Sequence, residues 1–252
     1  VSSAASDVYK RQVLISVSDK SGIVDLSKGL SENGIEIVST GGTSKAISEA
    51  GIPVRPVEEV TNFPEMMGGR VKTLHPLIFG GILGRDSDKD QMKEHGIENI
   101  DMVICNLYPF KSAAEKGVDL SSLIEEIDIG GPSLLRAASK NHSRVSVVTD
   151  PEDYGWILNE ILNGGLTFEQ RQQLALKSFR HTAEYDSIIQ SVLAQRFGEE
   201  ELPSSLHLTG IGSPPLRYGE NPHQSSVFYS DLLNSVVNED EGVFEQLGIW
   251  EQ

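Results

Sequence analysis

The chain has 252 residues, 38% of them hydrophobic and 23% charged, with a formal net charge of −16. That composition suits a soluble globular domain plus the start of another and excludes wholesale disorder. The acidic balance sets nucleic-acid binding aside, since phosphate backbones select the opposite sign. No stretch approaches the roughly 18 consecutive apolar residues of a membrane span. Cys105, the single cysteine, cannot form an internal disulfide, which points to a reducing cytosol.

Residues 1–11 (VSSAASDVYKR) show neither strand nor helix periodicity and are set aside as a leader foreign to the fold. Residues 13–17 (VLISV) form a short apolar strand. A helix follows, with Ile23, Leu26 and Leu30 on one face and Gly34 as its stop. Residues 35–38 are the second strand and run into Ser39-Thr40-Gly41-Gly42-Thr43. A short helix to Ala50, ended by Gly51, precedes a candidate third strand at 52–57. Residues 102–107 and 145–148 complete the strands. Asp119 precedes the helical run 120–127, and Pro132 suits a first turn leading into residues 134–138. Asp150-Pro151 opens a further helix, and Thr167 with Gln170 spells a capping box before a long helical tract to Phe197. Strands alternating with helices predict a parallel sheet covered on both faces, with ligands at the carboxyl ends of its strands. The domain spans 12–197. Residues 198–215 read as a linker, and 216–252 are an acidic tail with little room to fold alone.

Six polar segments are expected to converge where such a sheet presents ligand groups. Ser18, Asp19 and Lys20 follow the first strand and open a helix, and Thr40, Gly41, Gly42 and Thr43 do so after the second. Helix-start amides, hydroxyls and a lysine make an anion site. Taken singly, each is as readily a capped turn. Arg70, Val71, Lys72 and Thr73 follow Gly68 and Gly69; Arg offers a forked grip on phosphate and Lys a point charge, yet a solvated basic turn reads the same way. Cys105, Asn106 and Tyr108 end a buried strand, with Cys105 more a small filler than a nucleophile. Asp128-Ile129-Gly130-Gly131 suits a carboxylate held near a ligand, or an ordinary cap. Arg136 and Lys140, four apart, share a helix face. The six histidines show no metal-ligand spacing, so no zinc site is expected.

The order SVSDK, STGGT, GGRVKTLHP, CNLYPF, IDIGG and ASKNH, followed by LRYGENPHQ, resembles the bifunctional purine-biosynthesis enzymes that join a formyltransferase to an IMP cyclohydrolase. The likeness runs from about Val13 to Phe197 and resumes at Leu216; GGRVKTLHP carries most of its specificity. It implies an α/β, methylglyoxal-synthase-like domain with a central, mainly parallel sheet flanked by helices, and a helical C-terminal extension. It also implies closure of the formylated aminoimidazole carboxamide ribonucleotide to IMP with loss of water. The step uses no metal or organic cofactor, and the enzyme is a cytosolic homodimer. By motif, Ser18, Asp19, Lys20, Thr40, Gly41, Gly42, Thr43, Arg70, Val71, Thr73, Cys105, Asn106 and Ile129 would contact the nucleotide. Lys72, Tyr108, Asp128 and Lys140 would form the catalytic set. Thr40 stands where the family has serine, which keeps the hydroxyl. Arg217 and Tyr218 would open the transformylase substrate site, whose 10-formyltetrahydrofolate machinery is otherwise missing from residues 216–252.

The chemistry asks for these residue types. A carboxamide nitrogen is a poor nucleophile, its attack on a formyl carbon creates an oxyanion, and the adduct must lose water. On this reading Asp128 accepts the proton, Tyr108 and Lys72 polarise, and Lys140 returns a proton to the departing oxygen. Two rivals remain: a phosphate-effector regulatory module of the same fold, and a triose-phosphate lyase. The first has no need of Asp128 and Lys140 together; the second leaves RVKTLHP unexplained.

Overall fold

The computed structural model describes residues 11–198, 210–212 and 229–231. It divides into two compact units: Val1–Tyr108 with Asp128–Thr182, and Pro109–Ile127 with Ala183–Gln252. The first contains β1 (Gln12–Val17), α1 (Ile23–Glu32), β2 (Glu36–Ser39), α2 (Gly41–Glu49), β3 (Arg55–Pro56), α3 (Val57–Thr61), α4 (Pro76–Leu83), α5 (Lys89–Glu94) and β4 (Met102–Asn106). α6 (Phe110–Glu115) and α7 (Leu120–Glu125) belong to the second unit. α8 (Gly130–Lys140), β5 (Ser146–Val148) and α9 (Tyr154–Leu162) return to the first. α10 (Phe168–Phe197) crosses the division, and β6 (Gly210–Gly212) pairs antiparallel with β7 (Tyr229–Asp231) in the second unit.

The five strands of the first unit lie in the order β3-β2-β1-β4-β5, every pair parallel. The central pair is apolar on both faces, as a sheet sandwiched between helices requires: Leu14, Ile15, Val103 and Ile104 are all buried. The α/β architecture expected from the sequence is therefore present, and the five-stranded sheet is wholly rather than mainly parallel.

Three local expectations change. The third strand shrinks from 52–57 to Arg55–Pro56, with Val57 opening α3. Pro53 and Pro56 lack the N–H that a longer ladder needs. Gly41 and Gly42, read as loop, form the first turn of α2, with Thr40 as its extended N-cap. α4 was not foreseen. Its N-cap is His75, whose Nδ1 accepts from the Leu77 amide at 3.2 Å, and Pro76 pre-sets its first turn. The long tract ending at Phe197 and its capping box are as read: Thr167 N–H donates to Gln170 Oε1 (2.7 Å) and Gln170 N–H to Thr167 Oγ1 (3.2 Å).

Candidate active site

Parallel strands place the starts of α1, α2 and α8 and the end of β4 at one edge of the sheet. Contacts there close into a ring. Lys20 lies over Gly42, whose missing β-carbon would sit 3.7 Å from Lys20 Cε and 3.9 Å from its Nζ. A β-carbon on Gly41 would meet Lys72 Nζ at 3.1 Å, and one on Gly130 would meet Thr73 Oγ1 at 3.1 Å. Gly130 and Gly131 open α8 beside Asp128, and the Asn106 side chain returns the path to Ser18 and Asp19. Glycine is favoured at Gly41 by its φ of +42°, and a side chain there would also crowd the ammonium.

The start of α2 has the features that suit an anion. Thr40 makes no side-chain cap; its hydroxyl pairs with Ser16 Oγ at 3.1 Å. The exposed Gly41 and Gly42 amides thus lie at the positive end of the helix, beneath two lysines. Lys20 Nζ is tethered to the Ser18 carbonyl (3.2 Å), and Lys72 Nζ to Glu65 Oε1 (3.1 Å). In the first loop, Asp19 Oδ1 accepts from the hydroxyl and amide of Ser21 at 2.6 and 2.9 Å, which holds its carboxyl below the usual range.

Asp128 has the opposite environment. Burial raises its carboxyl above the ordinary value, although the amides of Gly131 (2.7 Å), Tyr108 and Gly130 oppose the rise. A half-buried acid with a raised pKa suits proton transfer, and Tyr108, whose backbone amide it meets, exposes its side chain. Cys105 is 1% exposed; burial and then the Asp128 charge push its thiol up, so it is no nucleophile at neutral pH.

The remaining sequence-derived residues divide by placement. Ile129 is exposed as the N-cap of α8, and Arg70 is exposed on the basic loop. Thr43 is buried, and its hydroxyl bridges the amide and carbonyl of Val17 (3.2 and 3.0 Å), locking α2 to β1. Asn106 spends its carboxamide on the first loop, and Val71 closes a bridge to Met66. These hold the site's shape. Lys140 is not brought to the ring. It ends α8, about 15 Å along the helix from Gly130 at 1.5 Å per residue. That end leads to the start of β5, at the amino edge of the sheet. Arg217 and Tyr218 lie outside the described residues.

Two residues that the sequence reading passed over belong here. Glu65 holds Lys72, and the buried Tyr154 ring supports Gly22, whose β-carbon would meet its Cδ2 at 3.4 Å. Burial first, then Asp19, Cys105 and Asp150, raise the Tyr154 phenol. A separate cavity of about 490 Å³ at the amino edge is lined by Gln12, Asp101, Arg144 and Arg171 among others. Both arginines are engaged with backbone carbonyls, and the helix starts that mark the ring do not line this cavity. Among the described residues, no group of three or more His, Cys, Asp or Glu side chains could hold a metal, and no helix is long and apolar enough to cross a membrane.

Comparison with known proteins gives the family. Residues 22–133 match the MGS-like domain and residues 138–247 the AICARFT/IMPCHase bienzyme. The bifunctional purine biosynthesis protein PurH of Oceanobacillus iheyensis is 53% identical over 229 residues, which are 89% of this chain and 45% of that protein. PurH of Persephonella marina is 51% identical over 224 residues, 87% and 44% of the two chains. The chain spans about half the length of the curated relatives it matches. Among solved structures, one titled "Crystal structure of ForH" aligns with a TM-score of 0.65 and 36% identity, covering 75% of this chain and 97% of that one. The chain belongs to the family of the bifunctional purine biosynthesis proteins and carries its MGS-like domain.

Proposed function

We propose that this chain closes the purine ring, converting the formylated aminoimidazole carboxamide ribonucleotide to IMP with loss of water. The observation that carries the reading is the pairing of two features in one ring of contacts: Lys20 and Lys72 over the first turn of α2, and a raised-pKa Asp128 at the start of α8. The first suits a ribonucleotide 5′-phosphate. The second suits removal of a proton from the carboxamide nitrogen as it attacks the formyl carbon. With Lys72 held at the phosphate, Tyr108 stabilises the developing oxyanion, and both reacting groups belong to one molecule, so holding the reactive conformer is much of the work. The step needs no metal or organic cofactor; 10-formyltetrahydrofolate belongs to the transformylase half. Within one chain Lys140 ends α8, about 15 Å along the helix from Gly130, so in this reading the protonated Asp128 returns its proton to the departing oxygen and Lys140 takes no part.

Spectrophotometric ring closure with the formylated nucleotide tests the proposal, and purified chain without turnover above the uncatalysed rate would overturn it. The place of Lys140 favours one alternative, a phosphate-responsive regulatory module. Stabilisation by IMP without turnover would select that reading.

A further inference from the structure

The segment carrying Lys72 folds back on itself. Met67, Gly68 and Gly69 take φ values of 55°, 63° and 98°, and Met66 and Val71 close the turn as an antiparallel bridge. A β-carbon at Gly69 would sit 2.8 Å from Lys72 Cε and 2.9 Å from Glu65 Oε1. The room left by this glycine is therefore taken by an ion pair, Lys72 Nζ to Glu65 Oε1 at 3.1 Å. The same ammonium is the one atom recorded within 4 Å of the Gly41 β-carbon position, so no Glu65 atom comes that near. Lys72 Nζ touches both the carboxylate and the first turn of α2.

We infer that Glu65 is a positioning residue, holding the Lys72 ammonium at the start of α2 so that an arriving phosphate meets a charge already in place. The inference rests on reading that edge as a monophosphate site. A lysine on its flexible four-carbon stem, facing the positive end of a helix with Lys20 nearby, is driven outward by like charge. The Glu65 carboxylate offsets that repulsion. It meets the ammonium without coming within 4 Å of the Gly41 β-carbon position.

Inorganic phosphate is the probe, so the outcome does not depend on ring closure. Phosphate affinity is measured by calorimetry on the whole chain and on Glu65→Gln, Glu65→Asp, Lys72→Met and the Glu65→Gln/Lys72→Met double variant. Glu65→Gln should weaken phosphate about five- to tenfold, the scale of a charge-assisted contact, with Glu65→Asp recovering part. In the Lys72→Met background the Glu65→Gln change should move affinity less than about twofold. Without phosphate, Glu65→Gln should melt within about 2 °C of the parent, as a half-exposed pair predicts. Phosphate binding by Glu65→Gln as tight as the parent's or tighter overturns the inference, because the carboxylate then opposes the ligand. An equal loss in both backgrounds, or a parent that binds no phosphate, also overturns it. Glu65-dependent phosphate binding by a chain that never closes the ring would remove the proposed function and leave this role standing.

Discussion

Asn106 clasps the loop that begins with Ser18: its Oδ1 accepts the Ser18 and Asp19 amides at 2.7 and 2.9 Å, and its Nδ2 donates to the Asp19 carbonyl at 2.9 Å. One carboxamide at the end of β4 thus fixes the turn after β1, and β1 and β4 are register neighbours at Val17 and Asn106. Truncation to Ala strands two amides in a nearly buried place. Asn106→Ala should cost on the order of 2 kcal/mol in urea unfolding and weaken IMP binding through loss of Lys20 placement. Asn106→Asp keeps the acceptor but sets an oxygen against the Asp19 carbonyl, so it should also destabilise. Unchanged urea midpoints in both variants would remove the clasp from the site's architecture.

Asp128 gives the site its pH dependence. Its folded-state pKa is raised, chiefly by burial, so the folded protein holds the proton more tightly than the unfolded chain. Stability from this group is therefore greatest below the ordinary carboxylate value of 3.8 and is lost as pH rises through the raised one. Activity runs the other way, since the base must be ionised: ring closure should fall as pH drops through the raised value. Asp128→Asn keeps an acceptor for the Gly131 amide and abolishes ionisation. It should lose about 10²- to 10⁴-fold in single-turnover rate, while its stability relative to the parent improves with rising pH. A rate loss under tenfold would take the base role from Asp128.

Lys20, Lys72 and Lys140 separate binding from distance. The first two lie over α2, and the third is about 15 Å down α8 from Gly130. At physiological salt the screening length is about 8 Å, so a charge that far off adds little to phosphate affinity. Lys20→Met and Lys72→Met should each weaken IMP about tenfold, whereas Lys140→Met should change it less than about twofold. Equal losses in all three would place Lys140 at the site by some other route.

Much of this was readable from the residues, and the failures have physical causes. Alternating apolar runs with Gly34 and Gly51 as stops located β1, α1, β2 and α2, because period and punctuation are local. α4 escaped notice because PLIFGGIL carries two glycines that local propensity disfavours in a helix. Their reason is tertiary: β-carbons on Gly80 and Gly81 would meet Ile97 and the Glu98 carbonyl. The motifs pointed to segments that, Lys140's apart, adjoin one another at one edge of the sheet, but they did not separate a hydroxyl free to face that edge from one bridging two elements, as at Thr43. The position of Lys140 was legible without coordinates, because a helix leading into a parallel strand ends at the edge opposite the strand's carboxyl end. Glu65 left no local trace, since its partner lies across a turn of three left-handed residues.

Two glycines distinguish damage to the fold from damage to the site. A β-carbon on Gly131 would fall 2.5 Å from Asp128 Oδ2 and 2.7 Å from Leu107 Cδ2, so Gly131→Ala must push the carboxylate away from its amides. One on Gly81 would fall 2.5 Å from the Glu98 carbonyl oxygen, a backbone atom away from the ring. Overpacking of this kind costs about 1–3 kcal/mol, and both variants should show it in urea unfolding. Their kinetics should part. Gly81→Ala, assayed well below its melting temperature, should close the ring at close to the parent rate. Gly131→Ala should lose at least about tenfold, because the carboxylate proposed as the base is displaced by a fraction of an ångström or more. Equal rates in the two would mean that the Asp128–Gly131 geometry is a matter of folding alone.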